Sequence, residues 1–261
     1  LPRLPPDLAV TLPYDGYIWL LLALGPLLYL QPRLQREVQV LFLLLTRRKD
    51  LSIILFSLIF LPGVILHELS HFVMAKVLFV RTGRVSVIPR QLPLGQLQMG
   101  YVEVAQADPI RMTLIGIAPL LAGSAVVAYV GLVQLGLLEA YLAIAVEGSA
   151  AALDALFALP GRPDAFVWLY LALAVSSTMF PSASDRRAWL PFLGIVLAAL
   201  VVMWQLGAQT WLIPALAPGL NNACRAVSLV FALTAALHLL FLIPAVLLRR
   251  ALTGLTGMRV A

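Results

Sequence analysis

Apolar residues in this chain come in long unbroken runs, unlike the one-sided stripes of a soluble helix. Runs at 14–30, 51–80, 110–137, 165–184, 188–206 and 226–248 approach or exceed the roughly 20 residues a helix needs to cross a hydrocarbon core. Tyr14, Tyr17 and Trp19 stand where interfacial anchors belong. Between the runs, the proline-rich 1–13 reads as an extended lead-in. Residues 31–50 mix charge with an apolar stretch too short to span, which predicts an interfacial or partly buried helix. Residues 138–163, with Glu139, Glu147 and Asp154, predict an amphipathic connecting helix. Trp211, Pro214, Pro218 and Asn221-Asn222 predict a loop or re-entrant turn before the last span.

Residues 81–108 have a different period. Arg84-Val85-Ser86-Val87 and Tyr101-Val102-Glu103-Val104 alternate polar and apolar side chains, with Pro89, Pro93, Gly95 and Gly100 between or beside them. That predicts a β-hairpin or small sheet, tolerated at a bilayer only where it pairs internally or lines a cavity. The expected fold is an all-α polytopic membrane protein of about six transmembrane helices with a small membrane-associated β-hairpin at 81–108. It forms one integral membrane domain over 1–261: a core at 51–206, an N-terminal helix region at 1–50 and C-terminal helices at 207–261.

Composition agrees. Of 261 residues, 62% are hydrophobic and 11% charged, against about 25% charged in soluble domains. The net charge of +6 sits in clusters between the runs, at Arg47-Arg48-Lys49, Arg186-Arg187 and Arg249-Arg250 for example. Such clusters suit an anionic membrane surface, and no basic face with interleaved aromatics points to nucleic acid. Basic loops at 81–111, 186–187 and 249–258 favour one common, cytoplasmic side, which leaves 47–49 on the wrong side unless 31–50 re-enters. The single Cys224 excludes an intrachain disulfide and argues against a cysteine-based metal site.

The chain has three histidines, two of them in His67-Glu68-Leu69-Ser70-His71 within the second run. Spaced i, i+4, their Cβ atoms lie about 5–6 Å apart on one helix face, close enough for both imidazoles to reach one Zn²⁺. Glu68 is placed to take a proton from a water at that metal. Ionisable groups at mid-bilayer each cost about 2.5–3.5 kcal/mol on insertion scales, and metal coordination compensates them. A third ligand must come from elsewhere. Asp185, after Pro181-Ser182-Ala183-Ser184, is one candidate, with helix N-cap as its alternative role. His238 is a rival ligand or a hydrogen-bonded structural histidine. Glu147, Asp154 and Asp164 read as solvated charges.

These residues resemble the site-2 protease family of intramembrane zinc metalloproteases. The likeness rests on the HELSH segment in a span, on Ala75-Lys76 after it, on Gly100-Tyr101-Val102 as a membrane re-entrant sheet, on Gly116-Ile117-Ala118-Pro119 in place of an Ala-Gly-Pro segment, and on Pro181 followed by Asp185. No glycine follows Asp185, Ser177 stands where asparagine is usual, and no PDZ-like insertion is seen, so the resemblance is to a compact, divergent member. It implies His67, His71 and Asp185 as metal ligands and Glu68 as general base. The implied activity is hydrolysis of a peptide bond in or near a transmembrane segment of a protein substrate. The strand at Tyr101, Val102 and Val104 would hold the unwound substrate by β-augmentation. The expected setting is a bacterial or archaeal plasma membrane, crossed several times, with oligomeric state left open. The alternative is a zinc-binding membrane scaffold or sensor without proteolysis.

Overall fold

The computed structural model describes residues 14–91, 97–140, 158 and 161–256. The lead-in at 1–13 and most of the connecting segment expected at 138–163, with Glu147 and Asp154, lie outside them. The described residues are mostly helical. In chain order they form α1 (Asp15–Thr46), α2 (Lys49–Ile59), α3 (Leu61–Val77), β1 (Thr82–Ser86), β2 (Arg90–Gln91), β3 (Leu97–Gln98), β4 (Tyr101–Val104), α4 (Pro109–Tyr129) continued by a π-turn at Val130–Gln134, α5 (Ala165–Thr178), α6 (Trp189–Gln205) and α7 (Gln209–Thr256).

Three helices, α1, α4 with its π-turn, and α7, are long and apolar enough to cross a membrane, and α2 with α3 would make a fourth bent by 69°. Among the described residues, helices of spanning length thus number three, or four with the bent pair, where about six are expected; α5 and α6 are apolar but shorter, at 14 and 17 residues. Two boundaries differ for one reason. Residues 31–46 continue α1 through Pro26 and Pro32, and residues 209–225 continue α7 through Pro214 and Pro218. Proline removes one backbone bond, and where no water competes for the freed carbonyl the helix carries on past it.

α1 and α7 run side by side in the same direction. Leu34 and Leu41 pack with Ala245 of α7 and Leu173 of α5, and Leu27 packs with Met179 and Phe231. Ion pairs close the interface at both ends: Arg225 with Asp15 at 2.5 Å, and Arg249 with Glu37. At 1.5 Å per residue, Asp15 and Glu37 lie about 33 Å apart along α1, close to the thickness of a bilayer core of about 30 Å. Asn221, expected in a loop, instead accepts the Gly16 N–H at 2.8 Å within this interface. Arg249 therefore lies at the Glu37 end, towards Arg47. The loop at 81–108 follows α3, which descends from Phe60, packed on Val38 and Phe42, to His67, level with Gln31 and Gln35 through residues 177 and 178.

The expected hairpin is present. β1 and β4 pair antiparallel, with Val85 opposite Val102, Ser86 opposite Tyr101 and a register shift between Thr82 and Val85; β2 and β3 extend the excursion as a second antiparallel pair. α4 opens at Asp108, whose Oδ1 accepts the Arg111 N–H at 3.0 Å, with Pro109 in the first turn. That N–H holds the exposed Asp108 carboxyl below its usual range.

Candidate metal centre

On α3 the buried positions Val64, Glu68, His71 and Ala75 recur at helical spacing, so the site face is also the packing face. Two neighbours hold it. α5 comes within backbone contact of α3 at Gly63, where a Cβ would collide with the Ala174 carbonyl and Thr178 Oγ1. α4 carries Ile115, whose carbonyl faces His71.

Both imidazoles are fixed from behind. His67 Nδ1 donates to the Thr178 carbonyl at 2.6 Å, and His71 Nδ1 donates to the Ile115 carbonyl at 2.9 Å. A carbonyl oxygen only accepts, so the proton of each neutral ring is on Nδ1 and the lone pair is on Nε2. The two Nε2 atoms lie 3.1 Å apart. Asp185 brings Oδ1 to 3.4 Å from His71 Nε2 and Oδ2 to 3.8 Å from His67 Nε2. Three acceptors therefore converge, an arrangement that calls for a cation at their centre. Two metal–ligand bonds of about 2.0–2.1 Å at a tetrahedral angle place their donor atoms about 3.3 Å apart, near the Nε2–Nε2 and His71–Asp185 separations, and one donor atom from each of the three residues lies within 4.8 Å of the others. His67, His71 and Asp185 can hold a metal ion.

The Thr178 carbonyl behind His67, and the Ser177 carbonyl beside it, are free because of the sequence after α5; the Ile115 carbonyl behind His71 lies four residues before Pro119 in α4, which has no N–H to pair with it. A continuing helix would pair the residue-181 N–H with the Ser177 carbonyl and the residue-182 N–H with that of Thr178. Pro181 has no N–H, and the Ser182 N–H goes to Asp185 Oδ2 at 2.7 Å. Thr178 is left to accept from His67, and Ser177 accepts from the side-chain amides of Gln31 and Gln35 at 2.7 and 2.6 Å. The same bond turns the Asp185 carboxylate inward. Asp185 does not cap α6, which starts at Trp189 after Ala188 without a side-chain cap.

Glu68 is buried, 6% exposed, beside the two histidines. Gly100 lies against it: a Cβ there would stand 2.8 Å from Glu68 Cγ and Oε1. Gly116 does the same for Asp185, because a Cβ there would collide with its carbonyl. A cavity of about 970 Å³ opens over the group. Its walls include Gln31 and Gln35 from α1 and the strand residues Tyr101, Val102 and Val104.

His238 is elsewhere and structural. Fully buried, it donates from Nδ1 to the Thr234 carbonyl at 2.8 Å and accepts at Nε2 from the Ser177 hydroxyl at 3.1 Å. Asp164 accepts the Trp168 indole N–H at 2.9 Å at the start of α5. Sequence reasoning missed Gln31, Gln35 and the two carbonyls. The glutamines had a signal, an i, i+4 polar pair beside an apolar run; the carbonyls had only the indirect one of Pro119 and Pro181, residues without an N–H that leave carbonyls of the preceding turn unpaired.

Comparisons with protein-family models, with curated proteins and with solved structures find no match to this chain.

Proposed function

We propose that this chain is an intramembrane zinc metalloprotease of the site-2 protease type, cleaving a peptide bond in or near a transmembrane segment of a membrane protein. The observation that carries the reading is the convergence of His67 Nε2, His71 Nε2 and the Asp185 carboxylate beside a buried glutamate, within a bundle of apolar helices. Two nitrogens and one carboxylate, with a further position left to water or substrate, are the donor set of a catalytic zinc site. A zinc ion held there lowers the pKa of water to about 7 and polarises a carbonyl. Glu68 takes the proton released by water at a carboxylate oxygen and returns it to the leaving amine nitrogen. Thr178 and Ile115 keep the imidazoles in the Nδ1–H form throughout. The β4 edge supports an unwound substrate by strand addition, and the lipid bilayer is the working environment.

The test uses the purified chain in lipid nanodiscs with a fluorogenic peptide built on an apolar helix. Cleavage is expected to stop on chelation and return with zinc. Glu68→Gln is expected to retain zinc and lose cleavage by at least about 10²-fold, the lower range for a general base. Asp185→Ala is expected to lose both. A Glu68→Gln variant that cuts at the wild-type rate would sink the reading, and zinc bound without any cleavage by the wild type would favour a scaffold or sensor instead.

A further inference from the structure

One wall of the cavity is not used by the chemistry above. Gln31 and Gln35 sit one turn apart on α1, with apolar Leu27, Leu28, Leu30 and Leu34 around them. An amide at this depth costs free energy unless it is hydrogen-bonded. Each gives one Nε2 N–H to the Ser177 carbonyl, left orphaned by Pro181. One amide suffices for that, so two exceed the need. Each retains a second N–H and its carbonyl Oε1. Neither Oε1 is among the buried polar atoms without a partner, and both residues line the cavity that β4 also lines.

The spacing is informative. Residues i and i+4 of a helix are about 6.0 Å apart along its axis. In an extended chain, backbone groups facing the same edge recur every second residue, about 6.4–6.8 Å. Two helix-borne amides thus match two successive same-edge peptide groups, each offering one donor and one acceptor. A peptide seated on β4 satisfies one of its edges. Its other edge would leave N–H and C=O groups unpaired where water is scarce, at a cost of several kcal/mol each.

We propose that Gln31 and Gln35 are substrate-binding residues that clamp the second backbone edge of an extended peptide held against β4. The ligand class is peptide backbone unwound from a helix, recognised without regard to its side chains. The inference rests on the protease reading above.

Peptide binding is measured in a Glu68→Gln background, so the result does not depend on turnover, and KM and kcat are measured in the wild-type background. Gln31→Met and Gln35→Met keep side-chain length and remove the amide. Each single variant is expected to weaken peptide binding and raise KM about five- to tenfold, with kcat within about twofold and zinc content unchanged. A change in zinc content or kcat with peptide affinity unaltered would assign the glutamines to scaffolding of the His67 shell and overturn the proposal. Unaltered affinity in both single variants would overturn it equally. Glutamine-dependent binding by a protein that never cleaves would sink the protease reading and leave the clamp standing.

Discussion

Replacing Gly100 by alanine separates the position of the base from every other part of the site. Gly100 has no left-handed φ, so alanine is compatible with its backbone, and a Gly→Ala change at such a position ordinarily stabilises by about 0.4–1 kcal/mol. The added Cβ, however, would lie 2.8 Å from Glu68 Cγ and Oε1 and 3.0 Å from Cδ. Ordinary carbon contacts sit at about 3.5–4.0 Å, so the Glu68 carboxylate or the strand must yield by about 0.7–1.2 Å. A displacement of about 1 Å at a catalytic group costs on the order of 10²-fold in rate. The metal ligands are not touched. The expected result is therefore a protein with normal zinc stoichiometry, stability lowered by no more than about 1–3 kcal/mol from the added contact, and kcat lowered about 100-fold. Peptide cleavage in nanodiscs, elemental analysis and a melting curve read the three quantities on one preparation. Wild-type kcat in Gly100→Ala would refute the argument that close backbone approach holds Glu68. Loss of zinc would show that the added methyl disturbs the ligands rather than the base.

Two further outcomes follow from buried polar contacts. Ser177→Ala removes the hydroxyl that serves His238 Nε2 in a fully buried setting, and is expected to cost about 1–3 kcal/mol in unfolding measurements while zinc content stays normal. Glu37→Ala leaves Arg249 without its partner at one end of the α1–α7 interface; because the Arg249 side chain is 29% exposed, the expected loss is about 1–3 kcal/mol, below the 3–5 of a fully buried pair, and Arg249→Met in the same background should restore part of it.

The candidate metal site was legible in sequence because its signal is local. A helix fixes the relation between residues four apart, so His67 and His71 had to share a face and Glu68 had to lie beside it. Asp185 needed one long-range step, from a proline-broken helix end to an inward carboxylate, and the structure brings it to the two imidazoles. The hairpin was legible for the same reason, through its period of two. Helix ends were less so. Proline and charge mark a boundary in water, but α1 and α7 run through theirs where each is braced along the other.

By itself the sequence determined the solvent this chain is built for, the helical spacing of His67, Glu68 and His71, and the strands at 81–108. Those properties depend on residue type and on the short-range geometry of one element. Tertiary structure alone decided the tautomers of His67 and His71, the structural role of His238, the shared direction of α1 and α7, and the meeting of Gln31 and Gln35 with Ser177. Each of these depends on a backbone carbonyl or a partner more than 60 residues away in sequence or on another helix, where no local pattern carries the information.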